Sequence, residues 1–406
     1  MIAGEHAADQ TRRPQAQTRW LSAAVAALLA VLALVAYYPA LNTPLLFDDR
    51  EIILTNENLT WSRVGALVTR DYFEVSREST YRPLSTLSYL AAEALMGKNY
   101  RGWRLLNLGN HTLNAFLFFL LLGGLGAGSL FRVAAATLFL LHPAYSEVIY
   151  VISFNEDLLM TTFVLAAGLL LSRGGDRWTG VRIVAVAACY FLALLCKESA
   201  FFFPAVVLVW AAAGAPVSLR ADKRWVAKLA TALLLAAGLY AFVRFVVMKS
   251  PGLMDAQQLP REAIWTYVPT LLQVFASFVE RFFWPSALSP FYYFPAVSWT
   301  NAEVLGGMFA ILLLTASVAV SVRKRRFDPA IAATWFLAGM AILGYILLSG
   351  NRIFAYDRYL YFPAIGMIWL SLWALRELGA MLPLPQAWRV RAGLGALGLT
   401  LVVDWV

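Results

Sequence analysis

The sequence predicts an all-α, polytopic membrane protein with about 11 transmembrane helices (11–13) and further helices lying on the membrane surface. Two observations predict this class. The chain has 406 residues, of which 60% are apolar and 14% are charged, whereas about a quarter of the residues of a soluble protein are charged. The apolar runs are also long and unbroken, without the alternation of a transmembrane barrel, so each span should be a helix.

The net charge of +9 fits loops that hold helix ends at the cytoplasmic face. No basic groove with interleaved aromatic residues is present, which argues against nucleic-acid binding. Residues 1–19 carry Arg12, Arg13 and Arg19 and are predicted to form a cytoplasmic N-terminal tail. The apolar run at about 20–41 is too long for a signal-peptide core and lacks a cleavage site, so it should be the retained first span.

The first span leads outward into an external loop at 42–104, where we expect surface helices at about 61–72 and 84–96. A stretch at 265–284 contains Glu280 and Arg281. One crossing there would place the basic cluster 323–326 outside. Either the stretch lies on the membrane or dips into it, or another segment nearby crosses as well, and we favour a helix that does not span. The remaining spans are predicted near 105–124, 130–145, 150–172, 182–196, 200–213, 228–248, 302–322, 329–348, 358–376 and 391–406.

Residues 20–406 are predicted to form one transmembrane domain, because no soluble domain and no 34-residue helix–turn–helix repeat is visible. Cys189 and Cys196 are seven residues apart and about 10 Å apart along a helix, too far for a disulfide. We interpret both as packing residues. No Cys/His spacing indicates a metal. A divalent metal held by Asp49, Glu156 or Asp157 stays open, although their spacing does not indicate one.

Polar and charged residues gather at the outer ends of the predicted spans. Ionised groups beside a membrane are unfavourable and usually functional. Each group alone could be a solvated interface, a helix end or a snorkelling cation. Together on one face they favour a site with a carboxylate base and cations for a phosphate. The groups are Asp48-Asp49, Tyr81-Arg82, His142 with Glu147, Glu156 and Asp157, Lys197-Glu198, and Asp357-Arg358-Tyr359.

The order of these motifs resembles the membrane half of the transmembrane and tetratricopeptide-repeat O-mannosyltransferases, over roughly residues 20–370. The motifs are Phe47-Asp48-Asp49, Asn56, Tyr81-Arg82-Pro83-Leu84, Asn107, Asn110-His111, Asn114, His142-Pro143 with Glu147, Asn155-Glu156-Asp157, Cys196-Lys197-Glu198-Ser199, and the run from Asp357 to Pro363. Two features depart from the family. The repeats that usually follow the membrane part are not visible, and Asn155-Glu156 stands where the family has Arg followed by Lys or Ala.

The resemblance implies a GT-C type glycosyltransferase that takes a sugar, with mannose the leading candidate, from a polyprenyl-phosphate donor. The acceptor would be a hydroxyl of a protein or a glycan. Asp48 would be the general base, with Asp49 as the alternative or as an orienting partner. Residues expected to bind the donor phosphate are Tyr81, Arg82, His142, Lys197, Arg358 and Tyr359. Residues expected to shape the site are His111, Glu147, Glu156, Asp157, Glu198 and Asp357.

We expect a bacterial inner-membrane protein whose N-terminus is cytoplasmic and whose site faces the periplasm or the exterior. A transporter or flippase of lipid-linked sugars is the alternative. It should show charges near mid-span and symmetry between two halves. A non-catalytic scaffold would need no acids gathered on one face. The charges of this sequence lie at span ends, which favours the enzyme.

Overall fold

The computed structural model describes residues 3–78, 80–172, 179–213, 223–249, 261–286, 288–344 and 354–381. In these ranges the fold is almost entirely helical, which confirms the predicted all-α class. The helices are α1 (Ala3–Tyr37), α2 (Tyr72–Ser76), α3 (Pro83–Met96), α4 (Tyr100–Gly124), α5 (Ser129–Leu141), α6 (Glu147–Tyr150), α7 (Asn155–Ser172), α8 (Thr179–Leu194), α9 (Phe203–Ala212), α10 (Lys223–Phe242), α11 (Arg261–Phe283), α12 (Ala302–Arg323), α13 (Phe327–Met340) and α14 (Tyr361–Met381). Two short strands, β1 (Tyr292–Tyr293) and β2 (Phe354–Ala355), pair antiparallel.

Seven helical segments in the described ranges are long and apolar enough to cross a membrane. They are Arg19–Asn42, Tyr100–Gly124, Ile152–Ser172, Lys223–Val247, Ala302–Arg323, Phe327–Gly344 and Asp357–Met381. Three shorter apolar helices, Ser129–Leu141, Gly180–Leu194 and Glu198–Ala212, coincide with further predicted spans. The prediction of a polytopic helical membrane protein is confirmed. The span predicted near 391–406 lies outside the described residues, and the total of eleven stays a prediction.

The predicted surface segments of the first loop are helical. The segment at 61–72 is a 3-10 helix over Trp61–Val68 followed by α2, and the segment at 84–96 is α3. Proline at the first position of α3 fits there because the amide at that position needs no partner within the helix. Helix α11 packs against α12 and contains Pro269, and it is not among the seven long apolar segments.

Helices α13 and α14 pack closely because glycines face the partner helix. A β-carbon on Gly366 would overlap the carbonyl oxygen of Ala332 and lie 2.6 Å from the Phe336 nitrogen. One on Gly339 would lie 2.5 Å from Cγ of Pro363. Small residues let helix backbones approach in this way inside a membrane. The contact fixes the start of α14 and the 3-10 turn Asp357–Leu360 before it.

Candidate active site

A polar cavity of about 280 Å³ lies where four distant chain segments meet. These are the turn after α1, the segment before α3, the 3-10 turn Ile152–Phe154 with the start of α7, and the turn before α14. We call it the polar cavity. Its lining residues are Asp48, Glu51, Ile52, Arg77, Glu78, Thr80, Arg82, Ser153, Phe154, Glu156 and Arg358. Four residues predicted from the sequence therefore come together here: Asp48, Arg82, Glu156 and Arg358.

The adjacent acids Asp48 and Asp49 have different surroundings. Asp49 is fully buried, and its Oδ1 accepts a hydrogen bond from the Ser153 amide at 2.8 Å. Its Oδ2 accepts from the amides of Ile152 at 3.2 Å and Leu46 at 3.4 Å. Burial raises the pKa of Asp49, and these amides oppose the shift. Asp48 is exposed, and its side chain makes no hydrogen bond within the described ranges. Asp49 therefore stabilises the turn through these hydrogen bonds, and the side chain of Asp48 faces the polar cavity.

The backbone of Phe47 supports this division. Its φ of 48° lies in the left-handed region, which is uncommon for a bulky residue. The Phe47 ring stacks on Phe154, with centroids 6.4 Å apart. The strained turn places Asp48 in the wall of the polar cavity and Phe47 in the wall of the cavity next to it.

Most cations near the cavity are already paired with carboxylates. Arg82 forms ion pairs with Glu156 and, at 2.9 Å, with Glu198. Lys197 lies 2.5 Å from Asp157 and 3.1 Å from Glu156. Glu198 also accepts from Arg244 at 2.8 Å. We call these six residues the buried ion network. Its three cations balance its three carboxylates, the condition under which buried charges are tolerated. Arg82 and Lys197, predicted to bind phosphate, are both neutralised by this network.

Arg358 differs from these cations. No carboxylate of the described residues lies within 4.0 Å of its guanidinium nitrogens. The guanidinium lies 3.6 Å from the ring centroid of Phe154 and 4.4 Å from that of Tyr356. Its Nε is buried and has no hydrogen-bond partner among the described residues. A planar guanidinium in this state can offer two parallel N–H bonds to a phosphate.

Glu147 and Asp357 line a second, mostly apolar cavity of about 230 Å³ together with Phe47 and Ser289. Glu147 accepts a hydrogen bond from the backbone amide of Arg358, and burial raises the pKa of Glu147 to about 7. Asp357 accepts from the Tyr292 hydroxyl at 2.8 Å and from the Ser289 amide at 3.0 Å. These two predicted residues therefore shape the space beside the polar cavity.

The predicted histidines hold helices together. The Nδ1 atom of His142 accepts from a backbone amide, so its Nε2–H donates to the Phe282 carbonyl, 2.9 Å away. For His111, Nε2 donates to the Leu140 carbonyl at 3.0 Å, and Nδ1 accepts from the Tyr361 hydroxyl at 2.9 Å. With both nitrogens of each ring engaged, neither histidine faces the polar cavity.

The predicted tyrosines also lie outside the cavity lining. Tyr81 is buried and packs edge-on against Tyr72, with ring centroids 5.0 Å apart. The ring of Tyr359 lies 5.8 Å from Nζ of Lys197 and beside Asp157. Their contacts favour a supporting role over phosphate binding.

The residues predicted as possible ligands of a divalent metal bind other groups of the protein. Asp49 holds three backbone amides, and Glu156 and Asp157 hold Lys197. No group of three or more His, Cys, Asp or Glu in the described ranges could hold a metal ion. This set of side chains therefore does not fit a divalent metal.

Seven of the eleven residues that line the polar cavity were not predicted as site residues, Glu78 among them, and neither was Arg244 of the buried ion network. Glu78 lines the polar cavity, is 8% exposed, and accepts from the Tyr72 hydroxyl at 3.0 Å. Arg244, two residues after α10, belongs to the buried ion network. A charge interrupting an apolar run is itself a signal of function, and it could have indicated Arg244. Nothing in its sequence context singles out Glu78 among the acids of the first loop.

Among solved structures, the chain is similar to an archaeal oligosaccharyltransferase from Archaeoglobus fulgidus. The structure in complex with an inhibitory peptide and a dolichol-phosphate aligns with a TM-score of 0.46 and 14% identity, over 95% of this chain and 56% of that chain. The apo form gives a TM-score of 0.45 and 15% identity, over 94% and 55%. No family profile matches the chain.

Among curated proteins, the chain is 30% identical over 177 residues to the protein O-mannosyl-transferase Tmtc1 of Drosophila melanogaster, covering 42% of this chain and 20% of that protein. The protein O-mannosyl-transferase TMTC3 of Homo sapiens is 29% identical over 171 residues, covering 40% and 19%. The chain thus spans about a fifth of the length of these relatives. The resemblance predicted from the motifs is confirmed: the chain is similar in sequence to protein O-mannosyl-transferases over about two fifths of its length.

Proposed function

We propose that the protein is a membrane glycosyltransferase that moves a sugar, with mannose the leading candidate, from a polyprenyl-phosphate donor to an acceptor hydroxyl on the non-cytoplasmic face. One observation carries the proposal. The polar cavity combines an exposed carboxylate, Asp48, with a guanidinium, Arg358, that has no carboxylate of the described residues within 4.0 Å. The similarity to protein O-mannosyl-transferases supports the same chemistry.

The reaction follows from these two groups. The acceptor oxygen attacks the anomeric carbon, and Asp48 takes the hydroxyl proton as general base. The bond between the anomeric carbon and the phosphate oxygen breaks, and the lipid phosphate leaves with added negative charge. Arg358 stabilises that charge through paired N–H donors. Attack and departure occur on opposite faces of the sugar, so one displacement inverts the anomeric configuration.

The other charged residues position these two. Asp49 holds the turn of Asp48 against Ile152 and Ser153 through backbone amides. Arg82 joins the start of α3 to Glu156 and Glu198 and so fixes two walls of the cavity. We therefore assign phosphate binding to Arg358, and we interpret Arg82 and Lys197 as positioning residues.

The test is transfer from a radiolabelled polyprenyl-phosphate sugar by purified, reconstituted protein. Asp48→Asn keeps the size of the side chain and removes its basicity, so sugar release should fall about 10²–10⁴-fold with the melting temperature unchanged. Asp71→Asn is the matched control, because Asp71 is exposed in the same loop and does not line the cavity. It should retain activity.

Asp49→Asn separates the two acids. It weakens the acceptor of three backbone amides and should lower the melting temperature. Full activity in Asp48→Asn would overturn the assignment of the base. Movement of the labelled lipid across the membrane without release of the sugar would instead indicate a flippase.

A further inference from the structure

Glu78 is a buried carboxyl group that faces the polar cavity without a cationic partner. It lines the cavity beside Arg82 and Glu156, yet no Lys or Arg nitrogen of the described ranges lies within 4.0 Å of its oxygens. Its side chain receives one hydrogen bond, from the hydroxyl of Tyr72 to Oε2 at 3.0 Å. This environment is unusual for a carboxylate, because a buried charge is normally paired.

Glu78 forms no ion pair with Arg77 or Arg358, the other cations that line the cavity beside Arg82, and the buried ion network has no surplus positive charge. Arg82, Lys197 and Arg244 are balanced by Glu156, Asp157 and Glu198 within the buried ion network. An ionised Glu78 would add an unpaired negative charge next to that network. Accordingly, burial and the nearby Glu156 raise the pKa of Glu78 to about 8.

Hydrogen-bond geometry also decides which oxygen of Glu78 can carry a proton. The Tyr72 oxygen accepts the Arg82 amide at 2.7 Å, and of the two acceptors within reach of its own hydroxyl proton, Oε2 of Glu78 at 3.0 Å is nearer than the Thr86 hydroxyl at 3.5 Å. Because Oε2 is an acceptor in this arrangement, Oε1 is the oxygen left to bear the proton. A carboxyl O–H is a strong donor to a phosphate oxygen.

Resting on the proposed function, we propose that Glu78 is a specificity-determining residue of the polar cavity, which presents a carboxyl O–H to the anionic phosphate of the donor. The neutral carboxyl group adds a hydrogen bond beside Arg358. An ionised one would repel the phosphate. The cavity thus accepts an anion although its walls carry more acids than bases.

The proposal predicts a pH dependence with a defined sign. As the pH rises through about 8, Glu78 loses its proton and the donor anion should bind more weakly. The titratable and charged groups facing Glu78 are Tyr72, Tyr89, Arg82, Glu156 and Glu198, and across the cavity Asp48, Glu51, Arg77 and Arg358. Arg82, Glu156 and Glu198 are held in ion pairs.

The experiment measures binding of undecaprenyl phosphate to the purified full chain in detergent, by intrinsic tryptophan fluorescence. A phosphate monoester loses its second proton near pH 6, so its own charge is constant above about pH 7.5. The wild-type Kd should rise about tenfold between about pH 7.5 and pH 9.5, from one added negative charge. Glu78→Gln keeps an N–H donor and cannot ionise, so its Kd should stay constant.

Glu74→Gln is the matched control, since the Glu74 side chain is 67% exposed one helical turn earlier and does not line the cavity. It should retain the wild-type profile. A wild-type Kd that does not change with pH, or the same rise of the Kd in Glu78→Gln, would overturn the proposal. The wild-type measurement decides even if the variant folds poorly.

Arg358→Leu tests the proposed function separately. If Arg358→Leu binds undecaprenyl phosphate as tightly as the wild type at about pH 7.5, the assignment of phosphate binding to Arg358 is wrong. Binding that requires Arg358 but lacks the pH dependence overturns the role of Glu78 alone.

Discussion

Arg82 and Arg358 carry the same guanidinium group into the polar cavity, but their neighbours give them different chemistry. Arg82 is held by Glu156 and Glu198. Arg358 lies on the ring of Phe154 without a described carboxylate partner. Loss of a paired, buried charge leaves its partners uncompensated and destabilises the fold. Loss of an unpaired charge mainly weakens the binding of its ligand and has little effect on the stability of the fold.

Arg358→Lys should therefore abolish most sugar transfer while the melting temperature changes little. Lysine keeps the positive charge but lacks the planar fork that holds two phosphate oxygens. The measurement is sugar release together with thermal melting. Arg82→Lys is the comparison, and it should lower the melting temperature because it weakens pairs with two buried carboxylates. Parent-level activity in Arg358→Lys would make Arg358 a structural anchor on Phe154.

At this scale the sequence predicted which residue types meet, and it could not predict their pairing. Arg82 and Glu198 are 116 positions apart, and no local pattern connects them. The same limit applies to Asp48 and Asp49, because only the amides of Ile152 and Ser153 distinguish the two acids. Asp48 was preferred on the resemblance, and its exposure in the structure supports that preference.

At the scale of elements, His142 connects α11 to the rest of the protein. Its Nε2–H donates to the Phe282 carbonyl, and its ring stacks on those of Phe282 at 4.9 Å and Tyr145 at 5.3 Å. The sequence predicted that the stretch 265–284, now within α11, lies on the membrane or dips into it, and it assigned His142 to the phosphate. The contact with Phe282 is 140 positions away in sequence, which explains why a docking role was not foreseen.

We expect His142→Ala to cost about 1–3 kcal/mol of unfolding free energy, because it leaves a buried carbonyl unpaired and removes a stacked ring. The last turn of α11 should become easier to cleave with protease. The Kd for polyprenyl phosphate should stay within about twofold, since His142 does not line the polar cavity. A large loss of binding with unchanged stability would instead return His142 to the phosphate site.

At the scale of the whole molecule, the apolar runs predicted ten helices of the described ranges, because helix length in a membrane is set by the bilayer. The expected orientation rests on the positions of Lys and Arg. The assembly of one cavity from four segments could not be read from the sequence, since it depends on how the helices pack.

The orientation can be tested by labelling with a membrane-impermeant maleimide in a background where Cys189 and Cys196 are serine. Cysteines at Glu57, in the loop of Asp48, and at Tyr293, in the strand paired with β2, should both be labelled from outside. A cysteine at Lys324 should be protected until the membrane is permeabilised. Labelling at only one of the first two positions would contradict a single external site.

The glycine contact between α13 and α14 also limits how the polar cavity can open. With backbone touching backbone at Gly366 and a proline ring against Gly339, the two helices cannot slide past each other and must move as one rigid body. Arg358 lies in the 3-10 turn directly before α14, so it is carried by that body. Widening of the polar cavity for a long-chain lipid phosphate would then have to come from chain segments outside this pair, because loops and short helices open more readily than packed helix pairs. In this arrangement Arg358 keeps its position relative to α13 and α14 while the lipid phosphate enters.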